Sequence, residues 1–433
     1  MVKNKKIVLL VVLVLGVLLV GVGVFLGFGR KSSNNTSKEF ELSGKYLVRI
    51  KNNLILGNGK KYAYYDLNGK KVLDLESENE FYDSRVLELM DAKDGLFVST
   101  KDGLTYGVVD SSKNEVLANK YYSVVIVSKN CFIVQNEENS YSVVNANGEN
   151  LLGVNYDYYF SYDGAGVALM LGDKWNLIDQ NGNLISNGDY AYIADYSSEN
   201  SKSTVLVGQG GNDTNDIFIF KNGALNVIEK VGSSVFVNEN YVYYAVSDGS
   251  FSSYSLVDGK VAKNAEVDFS ENGMIATISE SGLLGFKSTD GKTVIKEQYQ
   301  VEGTSNFTKY GLAVVSLNNL KGVIDKTGKE IIPCKYKSIY IFSDKVFAIS
   351  EDNNQTYYLI DNNDKKIYDS VSYDGVSDFV VAYSGDKCGI VDRNGKTVTQ
   401  LNNSNCQVYY DMYYVKSSDN NWIVGRKKYN CTD

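Results

Sequence analysis

The chain has 433 residues and a formal net charge of −8, with 52 acidic residues against 44 basic ones. It contains no histidine, which removes Ser-His-Asp and Cys-His nucleophile arrangements and every imidazole metal ligand. An acidic chain of this kind repels nucleic-acid phosphates and anionic lipid head groups, and no basic stripe offsets the balance.

Lys3, Lys5 and Lys6 form a short basic segment over residues 1–6, followed by an uncharged run from Ile7 to Gly29. That run is long enough to cross a bilayer as one helix. It lacks the shorter apolar region and small-residue cleavage site of a removed secretory signal, so it reads as a transmembrane signal anchor over 7–29. The preceding lysines favour a cytoplasmic N-terminus, against Arg30 and Lys31 on the far side, and the expected topology puts the large domain outside the cell. Residues 30–43, with "KSSNNTSKEF" at their centre, read as a polar tether, and no second apolar span follows.

From residue 44 to 433 one phrase recurs. Its turns are "DLNG" (66–69), "DSSKN" (110–114), "NANG" (145–148), "DQNG" (179–182), "KNG" (221–223), "VDG" (257–259), "TDG" (289–291), "DKTG" (325–328), "DNND" (361–364) and "DRNG" (392–395). The spacing is about 36 residues, in the range that signals a repeat architecture. An Asp side chain accepts backbone hydrogen bonds two residues on, and Asn and Gly tolerate the left-handed region, so the phrase suits a hairpin turn. The flanks "YGVVD", "NLIDQ", "KGVID", "YYLID" and "CGIVD" are short, β-branched and bounded by turns, and read as strands. Further short apolar pieces such as "GLAVVSL" (311–317) and "KVFAIS" (345–350) bring each unit to three or four strands. The predicted fold is all-β: a repeat-built, propeller-like or stacked β-hairpin domain of about ten units, preceded by one transmembrane helix. Ten units exceed the usual propeller complement of about four to eight blades, leaving two smaller rings, one large ring or an open stack as alternatives. The repeats are weakest over 200–280, which is where a seam between two halves is expected.

At this point the sequence resembles a known family. "KGVIDKTGKEIIPCKYKSI" (321–339) and "FTKYGLAVV" (307–315) are similar to the bacterial WG-containing repeat, also called the KWG repeat. Lys321, Gly322, Asp325, Gly328, Lys329, Pro333, Lys335 and Tyr336 match its pattern apart from the aromatic residue before the glycine. Tyr106-Gly107, Cys388-Gly389 and Trp175-Asn176 stand at the same aromatic-Gly place, and the dipeptide Trp-Gly itself occurs nowhere. The resemblance implies a bacterial β-repeat protein, often with an N-terminal membrane anchor, and attaches no catalytic activity to the repeat.

Several stretches carry chemically capable residues, and in each the structural role outweighs the chemical one. The tripeptides Gly291–Thr293 and Gly395–Thr397 end like a phosphate loop, but Phe286 and Ile390 occupy the place of its first glycine and a strand follows. Asp74, Glu76, Glu78 and Glu80 alternate and would share one face of a strand; a carboxylate pair or cation site could be built so, but like charges there also serve as a solvated strand edge. "GNDTND" (211–216) is rich in oxygen ligands yet lacks the glycine and terminal glutamate of a calcium loop. Five cysteines, Cys131, Cys334, Cys388, Cys406 and Cys431, show no CxxC spacing; three replace apolar strand residues, and Cys406 with Cys431 is the pair considered for a bridge. Two tyrosine clusters, Tyr156, Tyr158 and Tyr159, and Tyr409, Tyr410, Tyr413 and Tyr414, give the best binding potential, although strand alternation sends about half of such rings to the core.

The expectation is therefore a non-enzymatic, membrane-tethered binding or scaffold protein of a bacterial cell envelope, with a protein or glycan ligand. No catalytic, cofactor-binding or metal residues are assigned, no cofactor is expected, and nucleic acid is excluded as a partner. The alternative is a carboxylate-based glycan hydrolase or lyase on a β-propeller.

Overall fold

The computed structural model describes residues 38–427 except 82–83, 163–165, 186–189, 198–202, 211–213, 222–223, 233, 239, 247–249, 266–269, 353–356, 374–376 and 417–420. The apolar run Ile7–Gly29 and the cysteine at 431 lie outside the described residues, and so do the first three residues of "GNDTND" and the last two of "KNG". Among the described residues no helix is long and apolar enough to cross a membrane.

Within the sheets of the described residues, strands consecutive in the chain pair antiparallel as meanders, and one sheet also takes in the non-consecutive strand Lys38–Ser43. Tyr46–Ile50, Asn53–Asn58, Lys61–Asp66 and Lys71–Glu76 make a representative four-stranded sheet in that order. The described strands form nine sheets, and the largest of them carry two meanders each. Such twisted three- or four-stranded meanders are the blade form of the β-propeller type of fold. The described residues divide into two compact units, one spanning Phe40–Glu266 with Asn420–Trp422 and the other built on Val267–Asp419.

Lys38–Ser43, expected as the end of the tether, is instead a strand, placed in one sheet beside Asn421–Arg426. The reason lies in "KEFELS": charged and apolar residues alternate, and Leu42 is buried on the inner face.

The recurring turn leads from a strand of its meander to the outer strand or bridge that follows it, and in the sheet Tyr46–Glu76 it joins the third and fourth strands. In seven copies the first residue folds its side chain onto the turn. Asp66 Oδ1 accepts from the backbone N–H of Asn68 and Lys70, at 2.8 and 2.9 Å. Asp110, Asn145, Asp179, Asp325, Asp361 and Asp392 repeat the same two bonds, to the second and fourth residues on. The residue between those donors must turn left-handed, and Gly328 there has φ +84. That conformation costs an L-residue with a Cβ and costs glycine nothing. Bonds from Asn114 hold the Asp110 carboxyl below the usual range, and the backbone N–H of Lys365 does the same for Asp361.

The glycine of the aromatic-Gly pair has a different cause. Tyr106 pairs with Tyr121 and Val108 with Leu117, so the outer strand spends two extra residues opposite Gly107. This bulge pushes its backbone inward, and a Cβ at Gly107 would stand 2.5 Å from Leu117 O and 2.7 Å from Asn119 N. Gly285 and Gly322 face the same arrangement, against Ile295 O and Ile332 O. Pro333, the single proline of the chain, sits within the bulged stretch between Ile332 and Tyr336, where its missing N–H breaks no ladder bond. Where Ser142 and Asn176 replace the glycine, the outer strand shrinks to isolated bridges, Tyr141 with Tyr156 and Val144 with Asn150, then Trp175 with Tyr190 and Ile178 with Leu184. Gly389 keeps its glycine and still has only two such bridges, Cys388 with Asn403 and Val391 with Thr397, so glycine permits the full strand without ensuring it.

The core lies between successive sheets. Ile55, Tyr64, Phe97, Val108 and Val124 form one buried cluster across neighbouring meanders. Tyr64 donates its buried hydroxyl to Val98 O on the next sheet at 2.7 Å, and Tyr62 Oη accepts from Thr100 N at 2.9 Å. Such tyrosines supply ring area to the core and a specific bond across it.

The cysteines correct the sequence reading. Cys406 is bridged to Cys388, not to Cys431, and the disulfide ties strand Lys387–Asp392 to strand Asn405–Tyr409 of another sheet. Cys388 stands at the aromatic place before Gly389 and points to the adjoining sheet, which is what brings it to Cys406. Cys131 and Cys334 are free, and Cys131 is buried among apolar side chains as a small hydrophobe, with its thiol pushed up to about 12 by desolvation.

Candidate binding surface

The strand "YYFSY", Tyr158–Tyr162, begins its sheet and runs along the edge of Gly166–Leu171, which in turn pairs with Lys174–Ile178. Alternation puts Tyr158, Phe160 and Tyr162 on one face and Tyr159 and Ser161 on the other. The register sets Tyr158 opposite Met170 and Met170 opposite Trp175, so Tyr158 and Trp175 share a face two strands apart. Their rings meet edge to face, 6.1 Å between centroids and 86° between planes. Tyr158 is 51 % exposed, and Trp175 is half-buried against the next apolar cluster.

Tyr159 turns the other way. Its ring packs edge-on to Tyr141 at 5.0 Å, and burial raises its hydroxyl to about 12. Tyr162 donates to Ile193 O at 2.9 Å and is raised by the same desolvation. Of the expected cluster, Tyr156 is buried, Tyr158 exposed and Tyr159 half-buried.

The polar rim is built by hairpin ends. Asp157 Oδ2 accepts from Gly172 N at 2.7 Å, which brings the Leu171–Lys174 turn beside Tyr158. Asn155 Nδ2 donates to Ser140 Oγ at 3.3 Å, bringing the hairpin of Glu137 and Glu138 alongside. Glu137, Glu138, Asp157, Asp173 and Lys174 are all exposed there.

In the other unit Tyr340, also exposed, meets Tyr357 at 5.5 Å and Tyr373 at 6.1 Å, and Phe342 packs on Tyr373 at 4.2 Å. The second predicted cluster divides between surface and core. Tyr409 and Tyr410 are half-buried with rings 4.6 Å apart, whereas Tyr413 and Tyr414 are buried, and Tyr413 Oη donates to Glu39.

The acidic candidates do not gather. Asp74 and Glu76 stand on the edge strand Lys71–Glu76, with Asp74 facing Lys113 at 3.5 Å and Glu76 in register with Lys61, and Glu78 and Glu80 follow on exposed chain. In "GNDTND", Asp216 is occupied by Tyr190 Oη at 2.7 Å and by Lys230 N at 2.7 Å. Gly291–Thr293 and Gly395–Thr397 are turn ends leading to bridged or paired strands.

The repeated strand–Asp-turn–strand unit and the meander sheets define an all-β repeat protein of β-propeller type. Residues 322–354, which contain Gly322, the Asp325 turn and the Pro333 bulge, match the family described as WG containing repeat, so the chain carries a repeat of that kind there. No curated protein matches the chain. Among solved structures it is similar to BamB from Moraxella catarrhalis, at 12 % identity and a TM-score of 0.29, covering 92 % of this chain and 100 % of that one. It is similar also to the computationally designed Ika8 protein, at 12 % identity and a TM-score of 0.25, covering 89 % of this chain and 96 % of the other. Likenesses this low say nothing of function.

Proposed function

We propose that the protein is a non-enzymatic binding or scaffold protein of a bacterial cell envelope, tethered to the membrane by Ile7–Gly29 with its repeat domain outside. The observation that carries the reading is the exposed ring of Tyr158 meeting half-buried Trp175 on paired strands that are anchored in core on both faces, by Ala168 and Leu177 on the same face and by Val167, Leu169 and Ile178 on the other. Exposed rings on a rigid support are the groups that dominate recognition of a partner. The Cys388–Cys406 bridge supports the outward placement, because disulfides persist on the oxidising side of a membrane. Asp74, ion-paired with Lys113, and the exposed Glu76, Glu78 and Glu80 favour a solvated strand edge over a hydrolytic pair.

Two measurements test the reading. The full chain is incubated with purified envelope glycan, and no soluble fragments are expected; release that disappears on carboxylate substitution would establish the hydrolase instead. Protease is added to intact cells, and cleavage of the repeat domain is expected; protection until lysis would put the domain on the cytoplasmic side.

A further inference from the structure

We infer that the corner formed by Tyr158 and Trp175 receives the cationic side chain of a lysine- or arginine-rich segment on a partner protein. The inference rests on the reading of this face as a binding surface and adds the chemistry of what it binds.

An aromatic face carries the negative part of the ring quadrupole, and a cation within about 6 Å of the centroid is drawn to it. At 86° and 6.1 Å, Tyr158 and Trp175 present a face and a perpendicular wall to the same small volume. Tyr158 is exposed enough to be approached, and Met170 between them supplies an apolar floor for an aliphatic stem.

The rim of the corner is charged. Asp157 adjoins Tyr158 in sequence and is fixed by its bond to Gly172 N. Asp173 occupies the same turn, and Glu137 and Glu138 lie on the hairpin bonded to Asn155 through Ser140. Lys174 is the one base among these rim residues, so the local balance is acidic, as is the whole chain at −8. A cation approaching the rings is therefore steered by the rim as well as held by the quadrupole. A neutral glycan would stack on the rings without using the acids, and an anionic one would be repelled.

The chain supplies its own reporter, since it has two tryptophans. Trp175 is half-buried at the corner, whereas Trp422 is buried and donates Nε1 to Gly44 O, so its emission serves as a constant background. The test titrates the full chain, in detergent, with hexalysine while following tryptophan emission. A saturable change is expected, weakening at least tenfold between low and high salt. Tyr158→Ala should weaken binding by about five- to thirtyfold, the range of a partly desolvated cation–π contact. Tyr158→Phe should retain it, and Asp157→Asn with Asp173→Asn should weaken it severalfold. Near-ultraviolet circular dichroism identical to wild type checks that Tyr158→Ala is folded.

No change with hexalysine at low salt would overturn the inference. So would a response that Tyr158→Ala leaves intact, which is surface charge alone, or an equal response to a neutral chito-oligosaccharide. Failure with hexalysine while the chain still binds envelope material would remove this inference and leave the proposed function standing. Loss of envelope binding with hexalysine binding retained would do the reverse.

Discussion

Gly107→Ala tests the account of the repeat most sharply. The added Cβ would meet Leu117 O at 2.5 Å, Asn119 N at 2.7 Å and the Ala118 carbonyl carbon at 2.8 Å. All three are backbone atoms of the bulged outer strand, so no side-chain rotation relieves the clash. The bulge must open instead, and its pairs at Tyr121 and Leu117 must shift. Overpacking of this kind costs about 1–3 kcal/mol. Against it stands a gain of about 0.4–1 kcal/mol from restricting the unfolded chain. The net expectation is a loss of about 1–2 kcal/mol, or a fall in melting temperature of about 2–8 °C for a cooperative unit of this size. Gly210→Ala is the control within the same unit: its Cβ would meet nothing nearer than 3.4 Å, and its φ lies outside the left-handed region. It should match wild type or exceed it slightly. Thermal melting of the full chain followed by circular dichroism reads both. Equal melting temperatures for Gly107→Ala and Gly210→Ala would refute the close-approach explanation of the repeat glycine.

Three further outcomes follow from the same structure. Replacing Cys388 and Cys406 by serine removes a link across 18 residues and should cost about 3 kcal/mol by chain entropy, read as a lower urea midpoint that reductant reproduces in wild type alone. Tyr64→Phe removes the hydroxyl bonded to buried Val98 O and should cost about 1–2 kcal/mol, with no change in hexalysine binding. Asp110 and Asp361 have depressed folded-state values, so their contribution is complete above the ordinary carboxylate range and is lost as pH falls through the lower folded values. Melting of Asp110→Asn should therefore change less than wild type between pH 5 and about 2.

The turn phrase was the most legible part of the fold, because its physics is local. Asp, two turn residues and Gly are sufficient to fold the Asp325 side chain onto Thr327 N and Lys329 N, and the strands on either side follow from β-branched runs. The aromatic-Gly pair could be aligned from sequence, but its cause could not. Gly107 is required by the backbone of residues 117–119, a contact created only when the outer strand bulges. The site divides in the same way. Alternation predicts that Tyr156 and Tyr158 belong with opposite environments only if the strand begins between them, and its start at Tyr158 is set by pairing to Met170. Trp175 was visible merely as a degenerate copy of the repeat. That it faces Tyr158 depends on a register through a third strand, which no local pattern encodes. Cys388 and Cys406 were likewise separate strand residues until adjoining sheets brought them together.

The measurement closest to the central claim is co-sedimentation of the full chain with isolated cell envelope, comparing wild type with Tyr158→Ala. If the Tyr158–Trp175 face is the working surface, wild type is retained saturably and the variant loses most of its retention while melting normally. Equal retention of the two proteins would contradict the account, and the function would have to be sought on another face of the repeats.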